Sequence, residues 1–197
     1  FRNEQLAGDR WDRAKSDYFL APAFKETTKG VSIGGPIIKD KLFVYANYEE
    51  LHSSRGTPTF GPVGSPLQNV GITPSAISSF QAIAKNKYGI DVGTLDVPSG
   101  AEVAVKDMLL KLDWNISDNH RANLRVTKTE QNEPIFSNFS SSSLGLSTNW
   151  YNQGKVVETK VAQLFSDWTP DFSTEVKLSR RDYDSLPVNG STLPQIA

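Results

Sequence analysis

The sequence predicts an all-β chain, an antiparallel up-and-down meander of about six strands with one short loop helix, forming part of a large transmembrane barrel. Three observations predict it. Three stretches repeat one design of strand, tight polar turn and strand. The strands alternate apolar and polar residues with period 2. Between these hairpins lie long connections rich in Gly, Pro and Ser, where compact domains rarely keep loops beyond about 12–15 residues. Short turns on one side, long loops on the other and two-faced strands are the pattern of outer-membrane barrels.

The first hairpin is "KGVSIGGPIIKDKLFVYANYEEL", Lys29 to Leu51, turning at Lys39-Asp40-Lys41. Leu42, Val44, Ala46 and Tyr48 alternate with Phe43, Tyr45, Asn47 and Glu49. The second is "DMLLKLDWNISDNHRANLRVTKTE", turning at Ser117-Asp118-Asn119. Met108, Leu110, Leu112, Trp114 and Ile116 share one face, and Ala122, Leu124 and Val126 share a face after the turn; Leu109 is the exception. The third is "VVETKVAQLFSDWTPDFSTEVKLSRRDYD", turning at Thr169-Pro170-Asp171. Its second strand alternates, but Val156 to Trp168 does so poorly and its faces stay unassigned. Each turn carries Asp with Lys, Asn or Pro, residues that favour turns through fixed φ or local side-chain hydrogen bonds.

The long connections run over 51–106, 131–154 and onward from Leu186. The first holds a helix over about Pro74 to Lys87, capped by Thr73, opened by Pro74 and ended by Gly89, with Ile77, Phe80 and Ile83 as its apolar stripe. The Ser140–Ser143 run reads as flexible loop. Ahead of the first hairpin, residues 1–28 read as the end of an earlier strand and a further loop. Trp114, Trp168 and Phe172 fall within a few residues of tight turns, where amphipathic rings suit the level of lipid headgroups.

Composition narrows the function. The chain has 21 basic and 22 acidic residues and a net charge of −1, which gives no electrostatic case for nucleic acid. It has no cysteine, so disulfide scaffolds, Cys-bound zinc and thiol nucleophiles are excluded. No apolar stretch is long enough for a spanning helix. His52 and His120 are the two histidines, and His120 lies in a polar turn. Asp9, Asp12 and Asp17 lack EF-hand spacing and read as a solvated loop. No nucleophile, metalloprotease or phosphate-loop motif occurs, so no catalytic residue, metal site or cofactor is assigned. Among aromatics of the predicted outer loops, Trp11, Tyr18, Trp150 and Tyr151 are the candidate ligand-binding residues, with Phe60 beside them. Such rings stack on sugars or apolar ligands, or anchor loops to the barrel rim, and anchoring is favoured. Arg121, Arg125, Arg180 and Arg181 are assigned to a lumen neutralised by Glu49, Asp113 or Glu175.

"SIGGPIIKDKLFVYANYEEL" resembles the segment "GGPIIKDKLFFFxNYEG" near the start of the barrel in TonB-dependent outer-membrane receptors of the Oar-like kind. "LLKLDWNISDNHRANLRV" is similar to that family's next hairpin, and "FRNEQL" resembles the place where a strand leaves its membrane. The matches cover residues 1–6, 32–51 and 107–127, in the family's order. The chain departs from the pattern with Val44-Tyr45 for two phenylalanines and Glu50 for Gly, without breaking the alternation. The resemblance implies a barrel of about 22 strands, with a plug domain and a segment contacting a TonB-type energy-transducing complex, both absent here. In a barrel of that kind Leu42, Val44, Ala46 and Tyr48 face lipid, and Phe43, Tyr45, Asn47 and Glu49 the lumen. Residues 1–197 are then a partial barrel, with both ends reading as cuts. It implies a non-enzymatic receptor in the bacterial outer membrane, with membrane lipid and an unidentified external ligand as partners. The alternative is a secreted β-rich glycan-binding or adhesion module. What discriminates is the apolar strand face: bare to lipid in one case, covered by a second sheet in the other.

Overall fold

The computed structural model describes residues 2–3, 9–12, 17–20, 24–54, 58–98 and 101–192, the first three stretches through their backbone. Six long strands carry the fold: β4 (Lys25–Ile38), β5 (Leu42–Ser53), β8 (Val103–Ser117), β9 (His120–Ile135), β10 (Tyr151–Thr169) and β11 (Phe172–Asn189). With the short β1 (Arg2–Asn3) they form a seven-stranded antiparallel sheet in the order β1-β4-β5-β8-β9-β10-β11. This is the expected meander. β2 (Asp9–Asp12) and β3 (Asp17–Leu20) pair with each other, so Asp9, Asp12 and Asp17 stand on paired strands and not in a loop. β6 (Phe60–Gly61) and β7 (Gln68–Asn69) form a short parallel pair that the sequence did not announce.

The three hairpins close as their residues dictate. Asp40 takes a left-handed φ of 58°, tolerated because its short polar side chain can bond locally, and Lys41 N–H reaches the Ile38 carbonyl at 3.1 Å. β8 and β9 turn at Asp118-Asn119, and β10 and β11 at Pro170-Asp171, where the ring of proline presets φ. Gly34 pairs with Tyr45, and a Cβ there would stand 3.0 Å from the Tyr45 ring. The glycine lets that aromatic ring lie across β4. Pro36, which has no N–H to give, sits at a register shift between Pro36 and Ile38, where the ladder tolerates it. The run Gly34-Gly35-Pro36 is thus a ring seat followed by a bulge.

The hairpins do not close level. Leu42, the first residue after the β4–β5 turn, pairs with Trp114, yet β8 continues to Ser117. His120 pairs with Ser166, yet β10 continues to Thr169. Each hairpin closes three residues beyond the one before. That is about 10 Å along the strand for every two strand spacings, themselves about 10 Å. A line through the turns therefore crosses the strands at about 45°, the stagger that barrel strands require.

Two expectations are corrected. β11 does not end near Leu186 but runs to Asn189 through Pro187. Pro187 pairs with Gln153 and, lacking an N–H, leaves the sheet one donor short there. The helix, α1 (Pro74–Tyr88), has the expected ends: Thr73 Oγ1 accepts from Ala76 N–H at 3.2 Å, and Gly89 closes it with a left-handed φ of 68°. Its packed face differs, however. Ile77 and Ala84 meet the core and Gln81 lies between them, while Phe80 and Ile83 are exposed.

Candidate functional site: apolar band and outer groove

Register fixes the faces, because paired residues point the same way. On one face, Val31 and Ile33 continue through Leu42 to Tyr48, Met108 to Trp114, Ala122 to Val126, Ala162 and Leu164, then Val176 and Leu178. Among the described residues nothing covers this band: Ile33 is 75% exposed, Leu124 53% and Leu178 70%. A covering second sheet would have buried them. Near the turns the band ends in Trp114, Trp168 and Phe172, all exposed. Trp168 Nε1–H donates to Thr174 Oγ1 at 2.9 Å and meets the His120 ring edge-on at 5.1 Å. His120 is therefore the first residue of β9 and a neighbour of the aromatic rim, not a turn residue.

The opposite face is polar. Lys111 pairs with Asp113 at 2.8 Å, Gln163 Nε2 donates to Glu175 Oε1 at 2.9 Å, and Arg121 stacks on the Phe165 ring at 4.8 Å. Arg121, Arg125 and Arg181 share this face by register, whereas Arg180 stands on the other. Arg180 binds Asp182 of its own strand through two nitrogens, at 3.0–3.1 Å, so the expected lumenal role falls away. The partners of the lumenal arginines also differ from expectation, since Asp113 and Glu175 are engaged by Lys111 and Gln163.

Beyond the loop end of the sheet, two long connections fold against each other. Val92, Ala84 and Leu146 form a small buried cluster with Ile77, Ile90 and Leu95 around it. Thr148 Oγ1–H donates to the Val92 carbonyl at 3.0 Å, Thr94 N–H to Ser147 Oγ at 3.0 Å, and Ser147 N–H to the Thr94 carbonyl at 2.8 Å. Gln81 Nε2 donates to the Gly93 carbonyl at 2.7 Å, tying the helix in. The Ser140–Ser143 stretch is ordered by a bridge between its ends and by Ser143 Oγ donating to the Asn138 carbonyl at 2.7 Å.

These loops and the ends of β9 and β10 enclose a groove of about 740 Å³. Among the described residues its walls carry the carboxylates of Asp91, Asp96 and Glu102, the amides of Asn132 and Asn152, and no Lys or Arg. Trp150 and Tyr151 both line it. Trp150 is 8% exposed; its Nε1–H donates to the Gly145 carbonyl at 3.0 Å and its ring meets Phe136 edge-on at 5.0 Å. Tyr151 is half-buried at the start of β10 and is the more available ring. Trp11 and Tyr18 are register partners in the β2–β3 pair; their side chains lie outside the described residues. Phe60 begins β6 and does not line the groove. The acidic walls escaped the sequence reading, because Asp91, Asp96 and Glu102 meet Asn132 and Asn152 only through the fold.

Residues 1–90 match the model of a family described as an outer membrane beta barrel domain. No curated protein and no solved structure matches the chain. The family match agrees with the bare apolar band, the staggered hairpins and the polar opposite face. The chain is β-barrel wall of an outer-membrane protein, and its place is the bacterial outer membrane.

Proposed function

We propose that this wall is part of a TonB-dependent receptor of the Oar-like kind, which takes up a ligand captured by its long loops. The observation that carries the reading is the segment Ser32 to Leu51, whose resemblance to that family is specific and which folds as the β4–β5 hairpin. On this reading the tight turns face the periplasm and the folded loops face outward. The remaining strands and a plug complete the barrel, and the plug region contacts the energy-transducing complex. The protein is a receptor and not an enzyme. The groove, with three carboxylates and no Lys or Arg among the described residues of its walls, suits an uncharged hydroxylated ligand or a cationic one. An anionic ligand would be repelled by these carboxylates.

The test is site-specific photocrosslinking of the native protein to the energy-transducing partner in intact cells, with and without a protonophore. A crosslink that responds to the protonophore supports the reading. No crosslink from any periplasmic position overturns it. One observation favours surface adhesion as a second reading: Asn132, Pro134 and Asn152 share the sheet face of the apolar band, so the groove opens on the outer flank of the rim and not only above the lumen.

A further inference from the structure

The apolar band ends abruptly on its loop side, and it ends the same way in nearly every strand. Past Val31, Met108, Val126, Ala162 and Leu178, the next residue on the lipid-facing side is Lys29, Lys106, Lys128, Lys160 and Arg180, respectively. Only β5, with Glu50 after Tyr48, breaks the series among the six long strands. The edge is not one row of the sheet. Met108 is level with Lys128, and Val126 with Lys160, so the cations step toward the turns from β8 to β10. The closing pairs of the hairpins step in the same direction. Both limits of the band thus slide together, as a flat slab does when it crosses tilted strands. The cations follow the limit of that slab and not the hydrogen-bonded rows.

In three strands an acid follows one step further out. Lys128 pairs with Glu130 at 2.6 Å, Lys160 with Glu158 at 2.7 Å and Arg180 with Asp182 at 3.0 Å. The acids lie on the far side of the cations from the hydrocarbon, which leaves the cations as the first charges met from the membrane. Exposed pairs of this kind add little to stability, so stability does not account for a repeated order of cation then acid. A long basic side chain at the edge of an apolar surface keeps its stem in hydrocarbon and its head at the headgroup level.

We propose that this row of five cations is a binding surface for the phosphate groups of a phosphorylated glycolipid in the outer leaflet. The inference rests on the orientation proposed above, with the loops outside. Anionic headgroups at this depth meet the ammonium and guanidinium groups directly, with acyl chains lying against Leu110, Leu124 and Leu178. Arg180, whose Nε and Nη2 are held by Asp182, offers its remaining guanidinium N–H groups to a phosphate, and the lysines act as point charges.

The native protein would be reconstituted in nanodiscs containing a bisphosphorylated acyl-disaccharide lipid, or the same lipid without phosphates, and bound lipid measured by native mass spectrometry. The phosphorylated lipid is expected to be retained and the dephosphorylated one lost. Lys128→Gln with Lys160→Gln should weaken retention about thirtyfold, at about 1 kcal/mol per cation. Glu130→Gln with Glu158→Gln should strengthen it, because the same lysines are released; this second variant guards against a mere folding defect in the first. Inorganic phosphate at millimolar concentration should not displace the lipid. Equal retention of both lipids, indifference to both double variants, or displacement by free phosphate would each overturn the proposal. None of these outcomes touches the crosslinking test of energised uptake, so the two can fail separately.

Discussion

Leu112 is the most exacting place to test the membrane face. It sits at the middle of the β8 band, four residues from Met108 and four from Ile116. At about 3.3 Å per residue and a tilt of about 45°, either edge is about 9 Å away in depth. Its cross-strand neighbours on that face are Val44 and Leu124, so an introduced charge finds no partner. Leu112→Arg should therefore destabilise the barrel by about 2–4 kcal/mol, the cost of Arg near the midplane. Asn123→Arg is the matched control. It lies one register position away on the polar face, opposite Asp113 and beside Gln163, and should cost below about 1 kcal/mol. Leu178→Arg, two residues before Arg180 on the same face at the band's edge, should cost about 0–1 kcal/mol. The assay is reversible unfolding of the native protein in a bilayer by denaturant titration. Equal losses for Leu112→Arg and Asn123→Arg would refute the face assignment, and equal losses for Leu112→Arg and Leu178→Arg would refute the depth.

Three further outcomes are expected. Cysteines placed at Asp118 and Ser141, labelled with a membrane-impermeant reagent on intact cells, should react at Ser141 only; equal labelling would contradict the topology. Gly34→Val should cost about 1–3 kcal/mol by overpacking against the Tyr45 ring, while Gly35→Ala, whose Cβ would meet nothing within 4 Å, should be nearly silent in the same titration. Trp150→Ala should loosen the loop cluster without dissolving the sheet, read as faster hydrogen exchange at Thr94 and Ser147 with strands β8 and β9 still protected.

The sequence made the sheet legible wherever one strand stays in one environment. Met108 to Ile116 alternates cleanly because its outward positions all lie in hydrocarbon. β10 read poorly because it crosses from one environment to another. Its outward residues are Ala162 and Leu164 inside the band but Glu158 and Lys160 beyond it, while Val157, Val161 and Phe165 point inward. A period-2 pattern whose sense reverses midway looks like no pattern at all. Arg180 and Arg181 posed the same difficulty: adjacent residues cannot share a face, and only register says which goes where. The groove was illegible for a different reason. Thr94 and Ser147 lie 53 residues apart, and their hydrogen bonds follow no period. The caps of α1 were legible because Thr73, Pro74 and Gly89 act on backbone groups beside them.

The stagger of the hairpins turns the sheet into a depth gauge. Ile33, Ala46, Leu110, Val126, Lys160 and Arg180 lie along one continuous hydrogen-bonded row. Because strands and row are both oblique to the membrane plane, that row climbs as it passes from β4 to β11. Its first four residues lie in hydrocarbon and its last two among headgroups. A polarity-sensitive fluorophore moved from residue to residue along this row would stay on the outward face of one hydrogen-bonded row while its height changed. The emission shift along the row would then trace the local dielectric profile of the outer membrane, with the protein scaffold held constant.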